Sequence, residues 1–273
     1  MEQELRTVNY DKDLKIEAYR FQGIMQKFPN HFHEYYVVGF IESGKRHLSC
    51  KNKEYIVNSG DLLLFNPMDN HTCEQIDDRT LDYRCINIKP EIMKKAVSEI
   101  TGKDYLPRFT QPVVYHSEQV EPLHELHIAI MEEQRDFKKE ETFLFLIEQL
   151  ITQYSYTSML SDDTEIDAGI QAVRDYLEKH YAERITLEEL STLSKMNKYS
   201  LLRSFTRLLG ITPYRYLETV RIGEAKKLLE AGIEPIDAAL QTGFSDQSHF
   251  TNYFKEYIGL TPKQYQNIFF EII

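Results

Sequence analysis

The chain has 273 residues, a formal net charge of −11, three cysteines and no tryptophan. That length predicts two domains, and an odd cysteine count (Cys50, Cys73, Cys85) without a paired framework argues against a disulfide-stapled secreted module. Met1-Glu2-Gln3-Glu4 does not read as a signal peptide and no apolar run is long enough to cross a bilayer, so the expectation is a cytoplasmic protein with no membrane partner.

In chain order, residues 1–19 read as an N-terminal arm. Between about 10 and 90, apolar and polar residues alternate in short runs (35–41, 46–50, 54–57, 61–65, 81–88) broken by Gly, Asn and Asp. That pattern predicts an antiparallel barrel or jelly roll. After Glu118 the period becomes helical, with one helix over 120–137 and another over 140–156. The second presents Phe143, Leu144, Leu146, Ile147, Leu150 and Ile151, a stripe wide enough to pack on its own barrel or to pair with a second copy. The acidic stretch Ser161-Asp162-Asp163-Thr164-Glu165 reads as a linker. The expected division is therefore 1–160, a linker at 161–166, and 167–273. The fold class is α+β, with a barrel and its following helices in front and an all-α domain behind.

The last part reads as two helix-turn-helix units, 185–209 and 235–257, joined by one helix. Thr186-Leu187-Glu188-Glu189 is a capping box, and Leu187, Leu190, Leu193 and Met196 give the following helix its apolar stripe. Asn197 caps the next helix, which buries Leu201, Leu202, Phe205 and Leu208, and Gly210 stops it. Thr212-Pro213 opens the joining helix, which ends at Ala231-Gly232. Pro235 opens the second unit, Gly243 makes its turn, Ser245 caps its second helix, and Phe250, Phe254 and Tyr257 recur at helical spacing.

Residues 243–250 (Gly-Phe-Ser-Asp-Gln-Ser-His-Phe), then Phe254-Lys255 and Gly259-Leu260-Thr261-Pro262, resemble the signature of the AraC/XylS family of bacterial transcription regulators. Leu201, Arg203, Phe205, Gly210, Pro213, Tyr216, Leu217, Arg221 and Ala225 stand at the same family's spacing in the first unit. The resemblance covers about a hundred residues. There are three departures: Lys195 where the family usually has Gly, Ser191 in place of Ala, and Ala238 in place of a bulkier aliphatic. The resemblance implies a regulator that binds double-stranded promoter DNA, dimerises and most often activates by meeting RNA polymerase. By position it implies that Lys198, Tyr199, Leu202 and Arg203 face bases from the first recognition helix, and Gln247, Ser248, Thr251 and Asn252 from the second. Arg suits a guanine edge, and Gln and Asn suit adenine.

Charge is sorted locally. Residues 167–273 hold 13 Lys+Arg against 14 Asp+Glu, leaving 19 against 29 for residues 1–166. A globally basic domain is not present, which disfavours strong non-specific binding. Lys195, Lys198, Arg203, Arg207, Arg215, Arg221, Lys226 and Lys227 nevertheless face only Glu218 and Glu224 between positions 195 and 227. The first unit, Arg207 included, is expected to supply most of the phosphate attraction.

In the front domain, His31-Phe32-His33, Gly60-Asp61, Asn66-Pro67 and His71 resemble the two short motifs of the cupin barrel, used for sensing in this regulator family. His31, His33 and His71 could form a three-nitrogen zinc or iron site. A metal-binding cupin adds a carboxylate four or five residues on, where this chain has Val37 and Val38, so hydrogen bonding or ligand contact without metal is favoured. No cofactor is expected beyond an unidentified small effector. The resemblance to sugar-sensing members places that effector inside the barrel, lined by Glu42, His71, Cys73, Tyr83 and Cys85, with Arg46 and His33 as further candidates. Three alternatives stand: a metal-dependent cupin enzyme with an accessory helical domain, a redox sensor using Cys73 and Cys85, and an effector-independent regulator controlled by a protein partner.

Overall fold

The computed structural model describes residues 4–77, 79–134, 138–156, 168–244 and 246–270. Their contacts divide into two units: residues 4–27 with 33–156, and Phe28–Phe32 with the chain from 168 onward. The expected linker at 161–166 lies outside the described residues, as does the end of the helix expected over 120–137.

The first unit opens with a hairpin of β1 (Leu5–Asp11) and β2 (Ile16–Ile24). The expected arm is thus sheet for most of its length. Asp11 makes the turn by accepting from the amides of Asp13 and Leu14, and the Lys139 ammonium sits 2.5 Å from its other oxygen. After β3 (Phe28–His31), which clusters with the second unit, come β4 (Tyr36–Ser43), β5 (Lys45–Cys50), β6 (Lys53–Asn58), β7 (Leu62–Phe65), β8 (His71–Gln75) and β9 (Leu81–Ile88). The helix α1 (Pro90–Thr101), the short strands β10 (Arg108–Phe109) and β11 (Val113–Val114), the helices α2 (Val120–Met131) and α3 (Lys138–Tyr154), and β12 (Ser155–Tyr156) complete it.

Six strands form one antiparallel sheet in the order β1-β2-β9-β4-β7-β11. A second sheet has the order β3-β8-β5-β6, with β5 paired to β6 on one side and β8 on the other. These cupin-like sheets are the jelly-roll form of the expected architecture and do not close into a barrel. One face of the large sheet is aliphatic: Ala18, Ile86, Val38 and Leu64 align across four strands, and Phe40 and Leu62 follow. This face packs under α1, α2 and α3, where Met93, Leu123, Leu126, Phe143, Leu146, Ile147 and Leu150 are buried. The stripe on α3 therefore goes to its own sheet, while Phe145 stays 55 % exposed.

The second unit is helical: α4 (Ala168–Lys179), α5 (Leu187–Ser194), α6 (Lys198–Leu209), α7 (Pro213–Glu230), α8 (Pro235–Gln241), α9 (Gln247–Ile258) and α10 (Pro262–Asn267). Reciprocal Thr186–Glu189 hydrogen bonds start α5, Asn197 accepts from the Ser200 amide to start α6, and Thr212 with Pro213 starts α7. Ser245 lies outside the described residues, and the cap of α9 is its neighbour Asp246, whose carboxylate accepts from the His249 amide. Of the α5 stripe only Leu190 is buried, and Leu193 is 39 % exposed. The core instead gathers Ile170, Val173 and Leu177 of α4 around Leu201, Phe205, Tyr216, Leu217 and Val220.

Candidate DNA-reading and effector sites

Each helix-turn-helix turn is set by one left-handed residue. In the first, Lys195 caps α5 with φ 56° and ψ 28°, and the Ser191 hydroxyl donates to the Met196 carbonyl at 2.6 Å. In the second, Gly243 has φ +82°, and a Cβ there would stand 2.8 Å from the Ala182 carbonyl oxygen. Only glycine meets both demands.

The turns present opposite helix faces to core and solvent. On α6, Leu201 and Phe205 are fully buried; Lys198, Arg203 and Arg207 are exposed and Leu202 is half-buried. The Tyr199 side chain lies outside what is described. On α9, Phe250, Phe254 and Tyr257 are buried, while Gln247, Ser248 and Asn252 are exposed and Thr251 half-buried. Side chains that accept and donate hydrogen bonds thus line the outer faces of both helices, the property that base-edge readout requires.

Four of the eight basic residues between 195 and 227 have partners within the helical unit itself. Arg221 donates to the carbonyls of Tyr181 and Glu183 at 2.7 and 2.9 Å, tying α7 to the segment after α4. Arg215 pairs with buried Glu218 at 3.2 Å, Lys226 is buried over the Tyr265 ring, and Lys227 pairs with Glu224 at 2.8 Å. Half of the eight basic residues are thus engaged in the fold. Those along the turn and α6 are Lys195, Lys198, Arg203 and Arg207, and Lys198 also meets Glu188. On the second half, Lys263 reaches Glu234 at 3.4 Å.

In the first unit, the sheet face opposite the helices is polar and aromatic. Strand pairing aligns Glu17 with Asn87 and Val37, Tyr19 with Cys85 and Gly39, and Phe21 with Tyr83 and Ile41. The Glu17 carboxylate accepts from the Tyr19 hydroxyl at 2.9 Å and from the Asn87 amide at 3.3 Å. Burial pushes the Tyr19 and Tyr83 hydroxyls well up, so both remain protonated donors. The Tyr83 hydroxyl lies where a Cβ on residue 39 would be, 2.4 Å away, which explains Gly39 in mid-strand. On the second sheet Arg46, Leu48 and Cys50 share one face with Cys73 and His71 across the β5–β8 pairing.

Arg46, His71, Cys73, Tyr83 and Cys85 therefore lie on these inner faces. Glu42 does not. It makes a two-pronged ion pair with Arg84, which neighbours Tyr83 and so points to the opposite face. A bulge between Ile41 and Ser43 shifts the register there. The Arg46 guanidinium donates to the carbonyls of Ile24, Lys45 and Arg79; its Nε finds no partner among the described residues, and burial lowers its pKa. His71 stacks on Phe65 at 4.0 Å, its ring nitrogen donates to the Asp69 carbonyl, and burial holds its pKa at about 4. His33 stacks on Tyr35 and lies 5.2 Å from His71, ring centre to ring centre. His31 clusters with the second unit, its Nδ1 2.6 Å from the Pro29 carbonyl. Burial pushes the Cys73 and Cys50 thiols up to about 12, disfavouring the thiolate that redox sensing needs.

Sequence reasoning missed Glu17, Tyr19 and Asn87. The signal was present, a carboxylate and a phenol alternating with Ile16 and Ala18, but it had meaning only once residues 16–24 were known to be a strand.

Comparison with known proteins matches this division. Residues 13–147 match the AraC-like ligand binding domain and residues 190–268 a helix-turn-helix domain. Two such parts in one chain define a ligand-responsive transcriptional regulator. The HTH-type transcriptional regulator YbfI of Bacillus subtilis is 60 % identical over 249 residues, 91 % of this chain and 90 % of YbfI. The transcriptional activator RhaS of Klebsiella pneumoniae is 25 % identical over 86 % of each chain. Among solved structures, apo ToxT from Vibrio cholerae has the same fold, with a TM-score of 0.56 at 14 % identity over 96 % of this chain and 99 % of that one. The chain belongs to the AraC family of transcriptional regulators, and is not an enzyme. No helix among the described residues is long and apolar enough to cross a membrane.

Proposed function

We propose that this regulator is a one-component switch, in which a small polar effector held between the two inner sheet faces changes how the helical unit engages promoter DNA. One observation carries this: the two faces of the same strands differ in chemistry. Ala18, Ile86, Val38 and Leu64 cover the helix side, whereas Glu17, Tyr19, Tyr83, Cys85 and Asn87 cover the other. A face needed only for packing is filled by aliphatics, and convergent buried hydrogen-bonding groups characterise ligand sites. His33, Arg46, His71 and Cys73 complete the set of contacts. ToxT of Vibrio cholerae, a protein of this fold, binds an unsaturated fatty acid, which supports a small-molecule site here. Residues 1–160 form the effector and dimerisation part, 161–166 the linker, and 167–273 the DNA-binding part.

DNA is read by Lys198, Tyr199, Leu202, Arg203 and Arg207 from α6 and by Gln247, Ser248, Thr251 and Asn252 from α9. The protein works in the cytoplasm as a homodimer through the solvent side of α3, and it activates by meeting RNA polymerase. The name of RhaS supports activation. The test is thermal unfolding of the full chain against a panel of sugars, sugar acids and fatty acids, with Tyr83→Phe and Glu17→Gln beside wild type. A compound that raises the wild-type midpoint, less so in either variant, supports the inner site. A stabilising compound equally effective on both variants would place the effector elsewhere. Gel shifts with Arg203→Ala test the DNA half independently.

A further inference from the structure

The helix side of the large sheet is aliphatic over most of its area, but one row departs from this. Register places Thr7, Arg20, Arg84 and Phe40 side by side across β1, β2, β9 and β4, the strands on which α2 packs. The two guanidinium groups are therefore neighbours beneath that helix. Arg84 is buried and paired with Glu42. Arg20 is half-buried, and its Nε, closed off from solvent, meets no acceptor among the described residues. Asp82, the next residue on this side of β9, is turned to the Gly23 amide at 2.8 Å. Two histidines of α2 cover the row. His124 meets the Phe40 ring edge-on at 5.5 Å, and His127, fully buried, places Nε2 2.9 Å from the Tyr19 carbonyl. Nε2 must donate in that contact. The other ring nitrogen, Nδ1, is also buried and has no partner among the described residues. Glu121 and Glu125 of α2 are exposed.

We propose that Arg20, Arg84, His124 and His127 form an oxyanion site between the large sheet and α2, taking a carboxylate or phosphate group on the face of β2 opposite Glu17 and Tyr19. Four basic side chains gather there around one paired carboxylate, Glu42. A buried donor of Arg20 and a buried nitrogen of His127 are each costly when unpaired. An oxyanion satisfies both, accepting from Arg20 and, once Nδ1 is protonated, from His127. Burial, and then the charges of Arg84, His124 and Arg20, hold the His127 pKa at about 4 against the pull of its hydrogen bond to Tyr19. A bound anion opposes those charges and raises that pKa. Binding therefore takes up a proton and tightens as the pH falls. The site stands independently of the inner-face effector reading.

Calorimetric titration of the full-length protein, in chloride buffer of fixed ionic strength, tests it with sulfate, inorganic phosphate and acetate as probes. Sulfate keeps its charge between pH 7.5 and 6, so its pH dependence reports on the protein. Wild type should bind sulfate about threefold more tightly at pH 6. Arg20→Gln should weaken binding about tenfold, the loss of one charge-assisted hydrogen bond. The tighter of phosphate and acetate names the group that the natural ligand carries, and either supports the site. His124 faces the same space, so the ring nitrogens of His127, assigned by their loss in His127→Gln, give a separate readout. Sulfate should move the Nδ1 resonance towards the protonated position at pH 6. No binding of any probe, equal binding by wild type and Arg20→Gln, or an unmoved Nδ1 resonance overturns the proposal. Melting in chloride checks that the variants fold. Arg20→Gln, which leaves the Glu42–Arg84 pair in place, decides the proposal if His127→Gln does not fold.

Discussion

Replacing Lys195 by glycine should stabilise the DNA-binding unit. The residue sits in the left-handed region at φ 56° as the cap of α5, where a side chain costs about 1–2 kcal/mol through its Cβ. Glycine's larger freedom in the unfolded chain returns roughly 0.4–1 kcal/mol of that. The Lys195 side chain is exposed, so little packing is lost, and the hydrogen bond from its amide to the Thr192 carbonyl at 3.2 Å survives the change. The net gain is about 0.5–1 kcal/mol. For a unit of this size 1 kcal/mol moves the midpoint by about 4–8 °C, so an upward shift of roughly 2–8 °C is expected in calorimetry of the full chain. Lys195→Ala is the control, because it removes the same charge and keeps the Cβ. If the glycine variant melts no higher than the alanine variant, backbone strain at this turn is not what limits stability.

Three further outcomes follow from the same geometry. Gly243→Ala should destabilise the helical unit by about 2–3 kcal/mol in urea titrations, because both its φ of +82° and the Ala182 backbone 2.8 Å from the new Cβ oppose it. His71 and His127 are both buried with pKa values lowered to about 4, chiefly by burial. The unfolded chain then takes up protons first, so stability present above pH about 6.5 should fall as the pH drops towards 4, by up to roughly 3 kcal/mol per histidine. His127→Gln should flatten that loss when unfolding is compared at pH 7.5 and 5.5. Finally, Arg203→Ala should weaken specific binding by about 1–3 kcal/mol at the base it reads. Lys198→Ala with Arg207→Ala should lower the salt slope of binding more than Lys255→Ala with Lys263→Ala does; the reverse order in gel shifts would place the electrostatic anchor on α9.

The helical half was legible because its signals are local. Thr186 with Glu189, Asn197, Gly210, Thr212 with Pro213, and Gly243 each act on backbone groups within a few residues, and the structure uses each at that place. The effector half was legible only in part. The runs read at 35–41, 46–50 and 81–88 alternate clearly, and the strands Tyr36–Ser43, Lys45–Cys50 and Leu81–Ile88 stand there. The β1–β2 hairpin was not, because its half-buried edge strand, Leu5–Asp11, lacks a sharp alternation and resembles a solvated arm. Glu42 shows the limit at the residue level: it follows Val38 and Phe40 on the helix side of β4, where Arg84 holds it, and a register read one residue out puts it on the inner face.

The sequence by itself determined where the two helix-turn-helix units begin and turn, which side of each recognition helix faces away from the core, and the family to which the chain belongs. Caps, left-handed stops and 3.6-residue periodicity are properties of adjacent residues. Only the tertiary structure decided which cations remain beside α6 once Arg215, Arg221, Lys226 and Lys227 are engaged, and which strand faces carry Glu17, Tyr19 and Asn87. Those outcomes depend on strand register and on partners distant in sequence. No periodicity within one segment encodes them.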